Sequence, residues 1–226
     1  MTAGRFSVKI MNMDKSGTEQ VYAFHHRSRN RLGTSAFSDF RGDFLRQNIG
    51  SGKNVLDIGC RDGILTATYC EGNNVLGLDI DNGALKEAET KLGIKTLHTD
   101  LHSDWQVKEN SFDVVVAGEV LEHLYYPRLV IKKVKNALTS DGLFIGSVPN
   151  AFSLRNRLRL LFAAKRNTPL ADPTHINHFS RRELENILKD NFVHVSVEPL
   201  GRFPWLDHIF PGLFCFMLLF KASGKK

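Results

Sequence analysis

The 226-residue sequence predicts an α/β fold: a doubly wound, mostly parallel sheet with helices on both faces. Three observations predict it. Short apolar runs such as Val55–Ile58, Phe112–Ala117 and Leu143–Val148 show little polar–apolar alternation, so each strand is expected to be covered on both faces. Segments of helical length and spacing separate these runs. The first run also enters a turn carrying Gly59 and Gly63, the place where open α/β sheets bind ligands beyond a strand's carboxyl end.

The elements follow in order. Residues 1 to about 33 are polar, basic and without clear periodicity, so 1–34 is expected as a flexible basic arm, with His25-His26-Arg27-Ser28-Arg29-Asn30-Arg31 as its positive cluster. Phe37, Phe40, Phe44 and Leu45 recur at helical spacing and predict a helix over 35–48, with Ser35 as its cap and Gly50 just past its end. Then come a strand at 54–58, a helix at 63–71, a strand at 74–78, a helix at 84–92 and strands at 94–97 and 112–117. A helix over 127–138 starts at Pro127 and stops before Gly142; a strand over 143–148 stops at Pro149. Beyond it lie a basic segment and a proline-containing loop, a helix over 180–190 with Ser180 and Glu183 as a capping box, and strands at 192–197 and 213–220. The domain is expected to span 35–222, with 151–179 as a cover and 223–226 as a tail.

Composition narrows the class. Hydrophobic residues make up 42% and charged residues 24%, ordinary for a globular protein and too apolar for a disordered chain. Cys60, Cys70 and Cys215 form neither a disulfide framework nor a metal-ligand spacing, which points to a reducing cytoplasm. The first twenty residues hold no apolar signal segment, and the run 213–220 is too short to span a bilayer. The net charge of +6 is unevenly placed. Residues 54–142 hold nine bases and fourteen acids, whereas 1–53 hold nine and four, and 143–226 twelve and six. An acidic middle between basic flanks suits a ligand with a cationic centre.

Three acids stand at three successive strand ends: Asp57, Asp79 and Asp100. A carboxylate at the end of the second strand can accept hydrogen bonds from ribose hydroxyls. A dinucleotide site would require G-x-G-x-x-G, but here the glycines are spaced G-x-x-x-G with Arg61 between them. Asp57 and Asp62 would also repel a pyrophosphate; they suit an ammonium or a sulfonium.

In these segments the chain resembles the class I S-adenosylmethionine-dependent methyltransferases, over roughly 35–222. Val55-Leu56-Asp57-Ile58-Gly59-Cys60-Arg61-Asp62-Gly63 is similar to their first motif, Leu76-Gly77-Leu78-Asp79-Ile80-Asp81 to their second-strand motif and Thr99-Asp100-Leu101 to the adenine-side motif. Phe112–Val116 followed by Leu121-Glu122-His123-Leu124 matches the fourth-strand region, and Leu138 to Pro149-Asn150 the fifth. The resemblance implies a Rossmann-like seven-stranded sheet with an antiparallel last strand and S-adenosylmethionine as cofactor. It implies that Gly59, Cys60 and Gly63 lie along the methionine part and that Asp57 helps hold its ammonium. Asp79 would bind the ribose, Ile80 would pack on the adenine, and Asp100 and Leu101 would meet its amino edge. Ala117 to Glu119 would line the cofactor near the methyl. Arg61 departs from the family's usual glycine.

A hydroxyl acceptor must lose a proton, and His123, His175 and His178 are the candidate bases. His175-Ile176-Asn177-His178 has no carboxylate or cysteine pair beside it, so no metal site is expected. No Asp/Asn-Pro-Pro-Tyr/Phe motif follows the fourth strand, which disfavours the amino-methylating nucleic-acid enzymes; the basic flanks keep a nucleic-acid-associated enzyme and a non-catalytic relative as alternatives. A small-molecule acceptor, methylated at oxygen, is the expectation. Residues 154–166 carry five positive charges and no acid, with Leu154, Leu158 and Leu161 on one helical face. Such a helix serves either as an active-site cover or as a peripheral contact with an anionic membrane. With Phe203, Trp205 and Phe210 it points to an apolar or lipid-linked substrate. Oligomeric state is not encoded in any of these patterns.

Overall fold

The computed structural model describes residues 17–28, 32–201 and 203–226. Its strands are β1 (Asn54–Ile58), β2 (Asn74–Asp79), β3 (Lys95–His98), β4 (Phe112–Gly118), β5 (Leu138–Pro149), β6 (Phe192–Gly201) and β7 (Cys215–Lys225). Its helices are α1 (Gly17–Ser28), α2 (Ser38–Ile49), α3 (Asn82–Leu92), α4 (Pro127–Ala137), α5 (Leu154–Leu161) and α6 (Arg181–Lys189). The strands form one seven-stranded sheet in the order β3-β2-β1-β4-β5-β7-β6. β1 to β5 pair in parallel, and β7 runs antiparallel to both of its neighbours. The expected mostly parallel sheet with a reversed last strand is the sheet observed.

The unbroken apolar runs are explained by two separate cores. On one face Leu56, Ile58, Val115, Ala117 and Phe144 pack with Val130, Ile131 and Val134 of α4 and with Leu184 and Leu188 of α6. On the other, Val55, Val114, Val116 and Ile145 pack with Leu45 and Ile49 of α2 and with Tyr69. Neighbouring residues of one strand thus enter opposite cores, as a period of two requires. Local signals set the helix ends. The Asp81 carboxylate accepts from the N–H groups of Gly83 and Ala84 at the start of α3, and Gly93 ends that helix in the left-handed region. The capping box of Ser180 and Glu183 is present at α6.

Four expectations need correction. Residues 1–16 and 29–31 of the expected arm lie outside the described residues, but Gly17–Ser28 within it is a helix, with Glu19 and Ala23 buried. The helix expected over 63–71 is only a short 3-10 turn at Thr66–Thr68. Threonines favour neither helix nor regular backbone bonding, and the Thr66 and Tyr69 hydroxyls are instead drawn to the Asp57 carboxylate, both at 2.6 Å. The expected tail continues β7, pairing Phe192 with Lys225 and His194 with Ser223. In α2 the buried face is Arg41, Gly42, Leu45 and Ile49, whereas Phe37 and Phe40 stay exposed.

Candidate active site

The sheet order reverses between β1 and β4, and a cavity of about 350 Å³ opens at the carboxyl ends of these strands. That volume lies within the range of small-molecule sites, roughly 300–1,000 Å³. Asp57, Gly59, Cys60, Asp79, Ile80, Asp100, Leu101, Glu119, His123 and His175 all border it. These residues come from the ends of β1, β2, β3 and β4 and from the loop before α6, so the fold gathers most of the residues the sequence singles out.

The acids differ in environment. Asp57 is buried, and its Oδ2 accepts both the Thr66 and the Tyr69 hydroxyl. Burial pushes its carboxyl up to about 6, against the opposing effect of those hydrogen bonds. Asp79 accepts the Arg61 N–H at 2.9 Å on one oxygen and the Asp81 N–H at 2.8 Å on the other. Burial raises its pKa as well. Asp100 is more open and takes the His102 N–H at 2.9 Å. At Gly59, φ is +71°, and a Cβ would sit 2.5 Å from Cγ2 of Val120. The close approach that requires glycine there is therefore with Val120 as well as with the cavity. Arg61 adopts the left-handed φ of 53° that glycine usually supplies. Its guanidinium is held by Asp62 and the Thr34 carbonyl.

Three residues of the expected set do not border the cavity. Gly63 faces α3, where a Cβ would meet Leu92 and Ala88. Ala117 is fully buried in the core beneath. His178 stands outside the cavity, and its Nε2 is buried with no hydrogen-bond partner among the described residues.

Two features of the cavity wall give no signal in the sequence. Thr18, Tyr22 and His26 of α1 close one side of the cavity. The Tyr22 hydroxyl donates to the His123 carbonyl at 3.0 Å, and His26 Nδ1 lies 3.1 Å from Asp81 Oδ2. The spacing 19, 22, 23, 26 is helical, but the residues are mostly polar and give no apolar stripe. The second is Arg41, 2% exposed although it borders the cavity. Its Nε donates to Ser147 Oγ at 3.0 Å, and one terminal nitrogen donates to Glu119 at 2.9 Å and to Ser35 Oγ at 2.9 Å. A basic residue on a helix face reads as solvated in a sequence; only the neighbouring strand ends reveal its partners.

Two histidines also border the cavity. His123 and His175 stack edge to face with ring centroids 4.8 Å apart. Beside them Glu122 is almost fully buried, and burial holds its pKa well above the usual carboxylate range, with the negative charge of Glu119 adding to the rise. Of the segment 151–179, residues Thr168, Pro169, Asp172 and His175 border the cavity, but none of α5 does. The α5 face carries Leu158 outward, with Leu161 76% and Phe162 78% exposed, so the part of this segment at the cavity is the loop that follows α5.

Known proteins share this architecture. A family model described as a methyltransferase domain matches residues 25–192. A probable S-adenosylmethionine-dependent methyltransferase from Mycobacterium tuberculosis is 27% identical over 148 residues, covering 64% of this chain and 50% of that protein. A ubiquinone biosynthesis O-methyltransferase from Hydrogenovibrio crunogenus is 28% identical over 144 residues, covering 59% of this chain and 58% of that protein. The chain thus spans about half the length of these curated relatives. The crystal structure of a SAM-dependent methyltransferase from Archaeoglobus fulgidus matches with a TM-score of 0.64 at 20% identity, covering 91% of this chain and 99% of that one. With its strand order, its acid-lined crevice and this family match, the chain belongs to the class I S-adenosylmethionine-dependent methyltransferases.

Proposed function

We propose that the protein transfers a methyl group from S-adenosylmethionine to an oxygen of a small, apolar or lipid-linked acceptor. The observation that carries the reading is the crevice at the β1–β4 switch point, lined by Asp57, Gly59, Asp79 and Asp100. The residues fit the cofactor. Asp79 keeps lone pairs for ribose hydroxyls, and Ile80 and Leu101 supply apolar walls for the adenine. Asp57 supplies negative charge for the ammonium end, and the buried Arg41 guanidinium supplies positive charge for the carboxylate. The bound cofactor supplies a methyl on a cationic sulfur, already a good electrophile.

The protein's part is then orientation and exclusion of water. Tyr22 on α1, bonded to the His123 carbonyl, joins the cofactor side of the cavity to the acceptor side. His123 and His175 form a polar end where an acceptor hydroxyl would give up its proton. Oxygen as the methylated atom is supported by the ubiquinone O-methyltransferase relative. An apolar acceptor is supported by Leu158, Leu161, Phe162, Trp205, Ile209 and Phe210, which are exposed; the base of α5 is tied to the same region by the Leu154 N–H bond to the Leu213 carbonyl, 2.7 Å. Together with the bases of 154–166 this surface supports peripheral contact with an anionic membrane. No helix among the described residues is long and apolar enough to cross one.

The test is incubation with methyl-labelled S-adenosylmethionine and cell extracts divided into lipid, water-soluble and RNA fractions. Label in the lipid fraction is the expected result. Label in RNA would replace the acceptor assignment, and cofactor binding with no label anywhere would make the protein a binding module.

A further inference from the structure

We propose that Glu122, His123 and His175 form a binding site for a divalent transition-metal ion at the acceptor end of the cavity. A carboxylate oxygen of Glu122 and one ring nitrogen from each histidine lie within 4.8 Å of one another. The sequence hides this set, because His175 lies far along the chain. The fold assembles it: the Glu122 carbonyl accepts the N–H groups of Ile176 and Asn177, both at 2.8 Å, and the Asn177 amide donates to the Leu124 carbonyl. These bonds pin the loop that carries His175 onto the turn that carries His123.

Two independent observations point to an ion. The first is the setting of the rings. Nδ1 of His123 lies 2.9 Å from the Thr174 carbonyl oxygen, and Nδ1 of His175 lies 3.0 Å from the Pro169 carbonyl oxygen. A carbonyl oxygen only accepts, so each Nδ1 carries a proton, and in the neutral ring the lone pair is on Nε2. Metal-ligating histidines are oriented in this way by backbone carbonyls. The second is Glu122. It is 1% exposed, and neither carboxylate oxygen has a hydrogen-bond partner among the described residues. Buried carboxyl groups are nearly always paired, since an unpaired one loses its hydration without replacement. A cation between the carboxylate and the rings gives Glu122 its partner and offsets the charge of the nearby Glu119 and Asp172.

Two imidazoles and one carboxylate suit zinc, manganese, iron or cobalt, whereas magnesium and calcium favour all-oxygen sets. Bonds of about 2.0–2.2 Å require the three ligand atoms to draw together by an ångström or so from their present spread. Three protein ligands leave coordination positions open, and both histidines border the cavity, so those positions face it. The ion's use rests on the methyl-transfer reading: it would hold an acceptor hydroxyl and lower its pKa, in place of a histidine base.

Cobalt(II) is the probe. It is titrated into the metal-stripped full chain without S-adenosylmethionine, followed by its visible absorption, and then displaced with zinc. Binding should saturate at a single equivalent, with affinity at least about tenfold weaker in both Glu122→Gln and His175→Gln. No saturable spectrum, or wild-type affinity retained in both variants, overturns the proposal. Circular dichroism reports folding; if Glu122→Gln does not fold, His175→Gln alone decides. Loss of the cobalt site with intact binding of S-adenosylhomocysteine removes the metal site only. An intact cobalt site with no cofactor binding removes the methyltransferase reading only.

Discussion

Asp57 makes the stability of this protein depend on pH in a direction opposite to that of a salt-bridged carboxylate. Its carboxyl is fully buried at the end of β1, takes two hydroxyl hydrogen bonds, and is pushed by burial up to about 6. In the unfolded chain an aspartate titrates near 3.9. The folded state therefore holds this proton more tightly. The stability it contributes is fully present below about pH 4 and is lost as pH rises through about 6. The difference between the two values corresponds to about 3 kcal/mol. Asp57→Asn removes the titration and adds a pH-independent cost from facing an amide toward two hydroxyls. Urea unfolding of both proteins at pH 4, 5, 6 and 7 isolates the effect, because other groups cancel in the difference. The variant should gain about 2 kcal/mol on the wild type between pH 4 and pH 7, because part of the full difference is already lost at pH 4, where the unfolded carboxyl is half ionised. A difference that stays flat, or that moves the other way, refutes the reasoning. The same raised carboxyl predicts that binding a cationic cofactor near pH 6 releases protons, measurable as a buffer-dependent binding enthalpy.

Other predictions concern single contacts. Gly59→Ala places a Cβ 2.5 Å from Val120 at a φ of +71°, which should cost about 1–2 kcal/mol from the backbone and a similar amount from the clash. Val120→Ala in the same chain should recover the second part in denaturant melts; strictly additive losses would contradict the assigned contact. Tyr22→Phe removes the bond to the His123 carbonyl and should weaken S-adenosylhomocysteine binding about three- to tenfold by calorimetry, with little change in melting temperature. Unchanged affinity would show that α1 does not close the site. Leu161→Glu with Phe162→Glu should abolish co-flotation with anionic vesicles and leave S-adenosylmethionine affinity unaltered. Flotation equal to wild type would remove the membrane surface.

Much of the sheet is legible in the sequence because burial on both faces leaves continuous apolar runs, as in Val114–Val116, whose members enter alternate cores. Asp57 and Asp79 are legible for the same reason, since each interrupts such a run, whereas Asp100 is legible from its place just past the third strand. The helix expected after Gly63 is not there, since the Asp57 carboxylate draws Thr66 and Tyr69 into a tertiary contact that propensity does not foresee. α1 is concealed because its buried positions include Glu19, and its inward contacts are made by Tyr22 and His26. Arg41 is concealed because its partners are distant in sequence: Ser147 lies in β5 and Glu119 just past the end of β4. The Glu122–His123–His175 cluster is concealed because only hydrogen bonds across the fold bring the last residue to the first two.

Calorimetric titration of the full chain with S-adenosylmethionine and S-adenosylhomocysteine tests the central claim most directly. Both should bind saturably at one site in the wild type, and Asp79→Ala, which removes the carboxylate at the end of β2, should weaken both at least about tenfold. Absence of binding by either ligand, or equal affinity in Asp79→Ala, would contradict the assignment of the crevice as the cofactor site.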